Sequence, residues 1–229
     1  LNGTNNQKRA GAGAQTSAIV MGGVGTGDDS NVDTELYNGT AWTEVNNLNS
    51  GRGLAVGAGT VNTAALLTSG RTASQAVYNE TEIWNGTSWT EVNNLNTARY
   101  YSSGDGTSTA AILAGGEPGS GATADTETWN GTSWTEVNNL NTARAELTSM
   151  GTSAAAIAAT GTTATAATVN AETWNGTSWT EVNNVNTART LLAGSGTSTS
   201  AIIFGGNPAL AITEAWDGTS WTEVADLAV

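Results

Sequence analysis

Histidine and cysteine are absent from this chain of 229 residues, and basic side chains are scarce: seven Lys and Arg stand against twenty Asp and Glu, a net charge of -13. Without thiols there can be no disulfides, and without thiolate or imidazole a soft metal site loses its usual ligands, so no cofactor is expected. The acidic balance offers no basic surface to neutralise phosphates, which argues against nucleic acid and anionic lipid as partners. No run approaches eighteen strongly apolar residues, so membrane insertion is not expected. The chain opens at Leu1 with no initiator methionine and no signal-like stretch, which suggests a fragment or a processed product. Only two prolines occur, and the twenty-nine glycines follow no collagen period. What is present is 38% apolar residues with nine tryptophans, too much for an acidic linker and suited to many short strands joined by tight turns.

Those tryptophans are periodic. The segment WNGTSWTEVNNLNTAR at 84–99 recurs at 129–144, recurs at 174–189 with Val185 for leucine, and has degenerate copies beginning at Tyr37 and Trp216. Measured on the second aromatic of each copy, Trp42, Trp89, Trp134, Trp179 and Trp221, the spacings are 47, 45, 45 and 42 residues. That is the length of one four-stranded propeller blade. Within a unit an arginine (Arg9, Arg52, Arg99, Arg144 or Arg189) precedes a run of small residues. An apolar strand such as STSAIIFGG follows, then a polar loop of varying length, then a strand pair around the aromatics.

Asn85-Gly86 predicts a two-residue type I′ hairpin, pairing Trp84 with Thr87 and Glu82 with Trp89. Directly opposed residues share a face and strands alternate with period two, so Trp84 and Trp89 are expected on one side of the sheet. Two indoles on one side must be buried, at about 2–3 kcal/mol each, most simply against the next blade. Small residues belong on the innermost strand, where blades converge, and the aromatics farther out.

The expected fold is therefore all-β: a single five-bladed propeller over 1–229 with four antiparallel strands per blade, the blades spanning approximately 10–51, 52–98, 99–143, 144–188 and 189–229. An open solenoid of the same units is the competing architecture, disfavoured by the lack of distinct polar caps. In this phase the first and last blades exchange no strand. Closure then rests on side-chain packing between them, or on residues 1–8 as an extra edge strand.

The pattern resembles the kelch-type propeller repeat: an apolar strand ending in Gly-Gly, an aromatic, a second aromatic and then an arginine. The first copy runs Gly22-Gly23, Tyr37, Trp42, Arg52 and the third Gly115-Gly116, Trp129, Trp134, Arg144; the last has Gly205-Gly206, Trp216 and Trp221. The second and fourth copies have Ser69-Gly70 and Thr160-Gly161 instead, and the aromatics are five apart. The resemblance implies a propeller and, in general, a protein-interaction module; the copper-radical oxidases of that group need histidine and cysteine. The segment DGTSW at 217–221 loosely resembles a sialidase Asp-box. Tryptophan-rich five-bladed lectins are similar in composition, which keeps sugar binding in view.

A residue that builds every blade recurs in every copy, whereas one used for recognition or chemistry breaks the repeat. Trp42, Trp84, Trp89, Trp129, Trp134, Trp174, Trp179, Trp216 and Trp221 are read as repeat-building residues. Arg52, Arg99, Arg144 and Arg189 are expected to fork hydrogen bonds to loop carbonyls between blades. Glu44, Glu91, Glu136, Glu181 and Glu223 read as exposed edge-strand residues paired with those arginines, against a ring of cation-binding carboxylates. Asn93, Asn94, Asn138, Asn139, Asn183 and Asn184 cap the exit from the outer strand, or form repeated sugar sites. Asn38, Asn85, Asn130 and Asn175 match N-glycosylation acceptors, though turn formation suffices to explain them. Asp28, Asp29 and Asp33 are weak candidates for calcium, against the simpler reading of a solvated turn. Asp105 sits between Gly104 and Gly106 and reads as a turn residue, with a channel-facing carboxylate as the alternative. No catalytic constellation emerges.

The sequence is thus read as a non-enzymatic, monomeric propeller for protein interaction or surface attachment, extracellular or on a virion, with a multivalent lectin as the alternative.

Overall fold

The computed structural model describes residues 9–24 and 30–228. Twenty strands form five four-stranded antiparallel sheets, each in simple chain order. Blade 1 holds β1 (Ala10–Ala14), β2 (Ser17–Met21), β3 (Thr34–Tyr37) and β4 (Trp42–Val45). Blade 2 holds β5 (Val56–Val61), β6 (Ala64–Thr68), β7 (Thr81–Trp84) and β8 (Trp89–Val92). Blade 3 holds β9 (Ser103–Thr107), β10 (Ala110–Ala114), β11 (Thr126–Trp129) and β12 (Trp134–Val137). Blade 4 holds β13 (Thr148–Thr152), β14 (Ala155–Ala159), β15 (Ala171–Trp174) and β16 (Trp179–Val182). Blade 5 holds β17 (Ala193–Thr197), β18 (Ser200–Phe204), β19 (Thr213–Trp216) and β20 (Trp221–Val224). The fold is an all-β five-bladed propeller, its inner strands lining one axial channel.

Crowding near the axis accounts for the small residues. A Cβ placed on Gly57 of β5 would lie 2.8 Å from the Gly11 carbonyl oxygen of β1. On Gly106, whose φ is +130°, it would lie 2.3 Å from the Ala110 carbonyl oxygen of the partner strand. Only glycine meets both the backbone conformation and the space at that position.

The aromatic hairpin differs from its predicted form. Trp84 pairs directly with Trp89, as Trp129 does with Trp134, Trp174 with Trp179 and Trp216 with Trp221, so the connection has four residues rather than two. The Asn85 Oδ1 accepts from the N–H groups of Thr87 and Ser88 at 2.9 Å each, and the Asn85 N–H reaches Ser88 O at 3.3 Å. A side-chain oxygen that satisfies two loop donors makes the longer loop the better one; a type I′ turn would leave it unused. The indoles share a face with ring centroids 5.5 Å apart, but as a direct pair.

Three of the four indole pairs, Trp84–Trp89, Trp129–Trp134 and Trp174–Trp179, then lock two levels of structure. Trp84 Nε1 donates to Asn62 O at 3.0 Å, in the inner hairpin of its own blade. Trp89 Nε1 donates to Thr34 Oγ1 of the preceding blade at 2.9 Å, and Trp134 to Thr81 and Trp179 to Thr126 repeat that contact at 2.9 and 3.0 Å. Around these bonds four apolar clusters fill the spaces between successive blades, such as Ile19, Met21 and Leu48 against Leu67, Trp84 and Trp89. Between blade 5 and blade 1 the described residues form no such cluster, and β17 and β1 make no contact comparable with the other neighbouring inner strands. The expected packing across that seam is not formed among the described residues. Residues 1–8, the proposed extra edge strand, lie outside them.

Candidate functional site

Many of the repeated polar residues are consumed by the framework. Arg52, Arg99, Arg144 and Arg189 are fully buried and sit in the crossovers between blades. Arg144 donates through Nη1 to Thr160 O at 3.0 Å and Asn170 O at 2.7 Å, and through Nη2 to Glu172 Oε1 at 2.8 Å. Its partner is thus not one of the Thr-Glu-Val glutamates. Arg52, Arg99 and Arg189 likewise ion-pair with Glu82, Glu127 and Glu214 at 3.0, 2.9 and 3.0 Å, while Glu44, Glu91, Glu136, Glu181 and Glu223 are exposed. The two glutamates of a blade are directly opposed across a strand pair, as Glu82 is to Glu91; the crossover carries the arginine to the inner member. Burial lowers the guanidinium pKa of Arg144, and the facing Glu172 opposes that shift. Arg9 also pairs with its blade's glutamate, Glu35, at 2.8 Å. It does so from directly before β1, whereas Arg52 stands four residues ahead of β5.

The buried glutamates escaped the sequence reading, although Glu35, Glu82, Glu127, Glu172 and Glu214 each stand two residues before the first aromatic of a copy. In Glu82, Glu127, Glu172 and Glu214 the second carboxylate oxygen is also occupied. Asn141 donates its backbone N–H and its Nδ2 to Glu172 Oε2 at 2.7 and 2.8 Å, and Asn49, Asn96 and Asn186 do the same for Glu82, Glu127 and Glu214. Each crossover therefore delivers an asparagine and an arginine to one carboxylate, and desolvation of the charges is offset by an ion pair at one oxygen and hydrogen bonds at the other.

The other asparagines link blades at the surface. Asn93, Asn138 and Asn183 donate through Nδ2 to the carbonyls of Thr132, Thr177 and Thr219 in the next blade at 2.8 to 2.9 Å. The Oδ1 of Asn94 accepts from Thr81 N and that of Asn139 from Thr126 N, while Asn184 is exposed. A polar groove of about 570 Å³ runs past Glu136, Asn138, Asn139, Trp174 and Thr177 between blades 3 and 4.

Asymmetry gathers at one end of the channel. A cup of about 380 Å³ is lined by Leu54, Tyr101, Glu146, Leu147, Leu191 and Leu192, with Arg9 at its edge. Leu54, Tyr101, Glu146 and Leu191 each stand two residues after an arginine, and each is left-handed, with φ of 57°, 53°, 57° and 54°. Hydrogen bonds from Glu146 N to Tyr101 O (2.9 Å) and from Leu191 N to Glu146 O (3.1 Å) tie the rim from blade to blade. Non-glycine residues in this region cost about 1–2 kcal/mol each, so the chain sustains large, unequal side chains where glycine would be cheaper. Varied residues at a fixed distance from a repeated arginine were the available signal for this site.

Asp105 is a mid-strand residue of β9 rather than a turn residue, and it lines the channel. Its Oδ2 accepts from Gly151 N of blade 4 at 2.9 Å and its Oδ1 from Gly106 N at 2.7 Å. Burial raises its pKa, and those two bonds oppose the rise. The channel cavities around it are lined by Gly, Ala, Ser and Thr, with no second carboxylate among the described residues. Asp33 accepts from Asn31 Nδ2 at 2.9 Å; Asp28 and Asp29 lie outside the described residues. Among the described residues no cluster of three or more acidic side chains could hold a metal ion. Comparison with protein-family models and with curated proteins found no match to this chain.

Proposed function

We propose that this chain is a non-catalytic, kelch-like recognition propeller that contacts a protein partner through the cup at the mouth of its channel. The observation that carries the reading is the division of labour between positions. The arginines, inner glutamates and crossover asparagines that recur from blade to blade are spent on internal bonds, whereas Leu54, Tyr101, Glu146 and Leu191 put three kinds of side chain at one backbone position at a conformational cost. Four leucines, a tyrosine and a flanking Arg9–Glu146 charge pattern suit an extended peptide that presents apolar and polar groups together. The acidic exterior fits a surface-attachment role, outside the cell or on a virion.

A lectin is the second reading, favoured by the groove beside Asn138 and Asn139 and its position between repeated blades. Selection of a displayed random-peptide library against the intact chain, in parallel with a glycan array, separates the two. The protein-recognition reading expects enriched peptides whose binding is lost in Tyr101→Gly and Leu191→Asn. Saturable glycan binding that survives both substitutions, with no peptide enriched, would overturn it in favour of the lectin.

A further inference from the structure

We propose that the open side between blade 5 and blade 1 is a docking surface for one additional blade of this same repeat type. Both faces of the seam are finished as interfaces yet lack occupants among the described residues. On blade 5, Ile202 is 38% exposed where Ile19, Leu66, Ile112 and Ile157 at the same strand position are at most 2%, and Leu227 is 43% exposed where Leu48, Leu95, Leu140 and Val185 are at most 5%. On blade 1, Ala18, Val20, Tyr37 and Trp42 are half-buried where Ala65, Leu67, Trp84 and Trp89 are buried.

The polar contacts tell the same story. Thr34, Thr81 and Thr126 accept an indole N–H from the following blade, but the buried Thr213 Oγ1 has no partner. Gly23, Gly70, Gly116 and Gly161 donate their N–H to the carbonyls of Arg52, Arg99, Arg144 and Arg189; among the described residues Gly206 has no such bond.

The occupant follows from what each face requires. Blade 5 needs an indole donor for Thr213 and an aromatic surface for Ile202 and Leu227, which is the trailing face of a repeat. Blade 1 needs aliphatic side chains over Tyr37 and Trp42, which is the leading face of a repeat. One blade carries both. A second copy of the whole chain satisfies one side only, because the aliphatic face of its blade 1, Ile19 and Met21, is already packed on its own blade 2. Closure by this chain's own blade 1 would have to bend four interfaces that repeat one indole–threonine geometry of 2.9 to 3.0 Å or its apolar equivalent. The segment after β20 takes the same course as the one after β8: Leu227 N donates to Ala211 O at 2.9 Å as Leu95 N does to Asn79 O at 2.9 Å.

The test compares the native chain with a chimera in which residues 1–227 are followed by a copy of residues 96–140. The chimera is expected to be a monomer melting about 5 °C or more above the native chain, with hydrogen exchange across 200–204 and 34–45 slowed at least about tenfold. Thr213→Val should lower the melting temperature of the chimera and leave that of the native chain unchanged or higher. A chimera that misfolds, or whose added segment is protease-sensitive with exchange at the seam unchanged, overturns the proposal. So does a native chain that already protects both segments, since protection in the monomer would identify its own blade 1 as the occupant and protection only on oligomerisation would identify a second copy.

Discussion

Position 171 offers the sharpest test of how the blades are joined. Trp89, Trp134 and Trp179 each donate an indole N–H to a threonine of the preceding blade, but the residue that faces Trp221 is Ala171, and Trp221 Nε1 is buried without a partner. Ala171→Thr should supply the missing acceptor. Thr126, its counterpart in blade 3, is fully buried opposite Ala114 and also directs its hydroxyl to Ala124 O at 3.5 Å; Ala171 faces Ala159 in the same way, so a threonine has both room and a second partner. Satisfying a buried donor contributes about 1–2 kcal/mol, which for a chain of this size raises the melting temperature by about 2–8 °C. Thermal unfolding of the wild type, Ala171→Thr and Ala171→Val measures it. Valine adds the same bulk without the oxygen, so equal melting temperatures for the two variants, or no gain from threonine, would refute the reasoning. The reverse substitution, Thr126→Ala, should cost about as much as Ala171→Thr gains.

Three further outcomes follow from the framework and the cup. Arg144→Met leaves the buried Glu172 carboxylate without its cation and should cost about 3–5 kcal/mol in urea unfolding, with partial recovery in the Arg144→Met, Glu172→Met double variant; Glu181→Gln on the exposed side should change stability by less than about 0.5 kcal/mol. Leu191→Asn, at an exposed left-handed position, should raise stability by about 0.5 kcal/mol while weakening peptide binding, and a loss of stability would show that the rim is not strained. Because burial raises the Asp105 pKa, the protonated form is favoured in the folded state: the group's contribution is full below its unfolded pKa and is lost as pH rises through the folded value. The melting temperature of Asp105→Asn relative to wild type should therefore increase from about pH 3 to pH 6; a difference that stays flat would show that Asp105 does not titrate as a buried group.

The aromatic hairpin shows where local reasoning holds and where it stops. That Trp84 and Trp89 share a face survives a change of loop length from two to four residues, because either register keeps both on the same side of a period-two strand. The loop itself was misread because Asn-Gly has two ways to turn a chain, and the Asn85 side chain, not its backbone, selects the longer one. The arginine partner was misassigned for a different reason. Two glutamates oppose each other in every blade, and only the course of a crossover that joins residues 28 apart, as in Arg144 and Glu172, decides which of them is reached.

By itself the sequence determined the unit and its number: a repeat of about 45 residues, its strand content, its small inner and aromatic outer ends, and hence five blades. These follow from side-chain alternation, turn chemistry and volume, all of which act within one copy. Tertiary structure alone decided the arginine–glutamate–asparagine clamp, the left-handed rim of the cup and the seam between blades 5 and 1 that the described residues leave unpacked. Those depend on the angle at which one blade meets the next, a quantity set by packing between units that no single unit encodes.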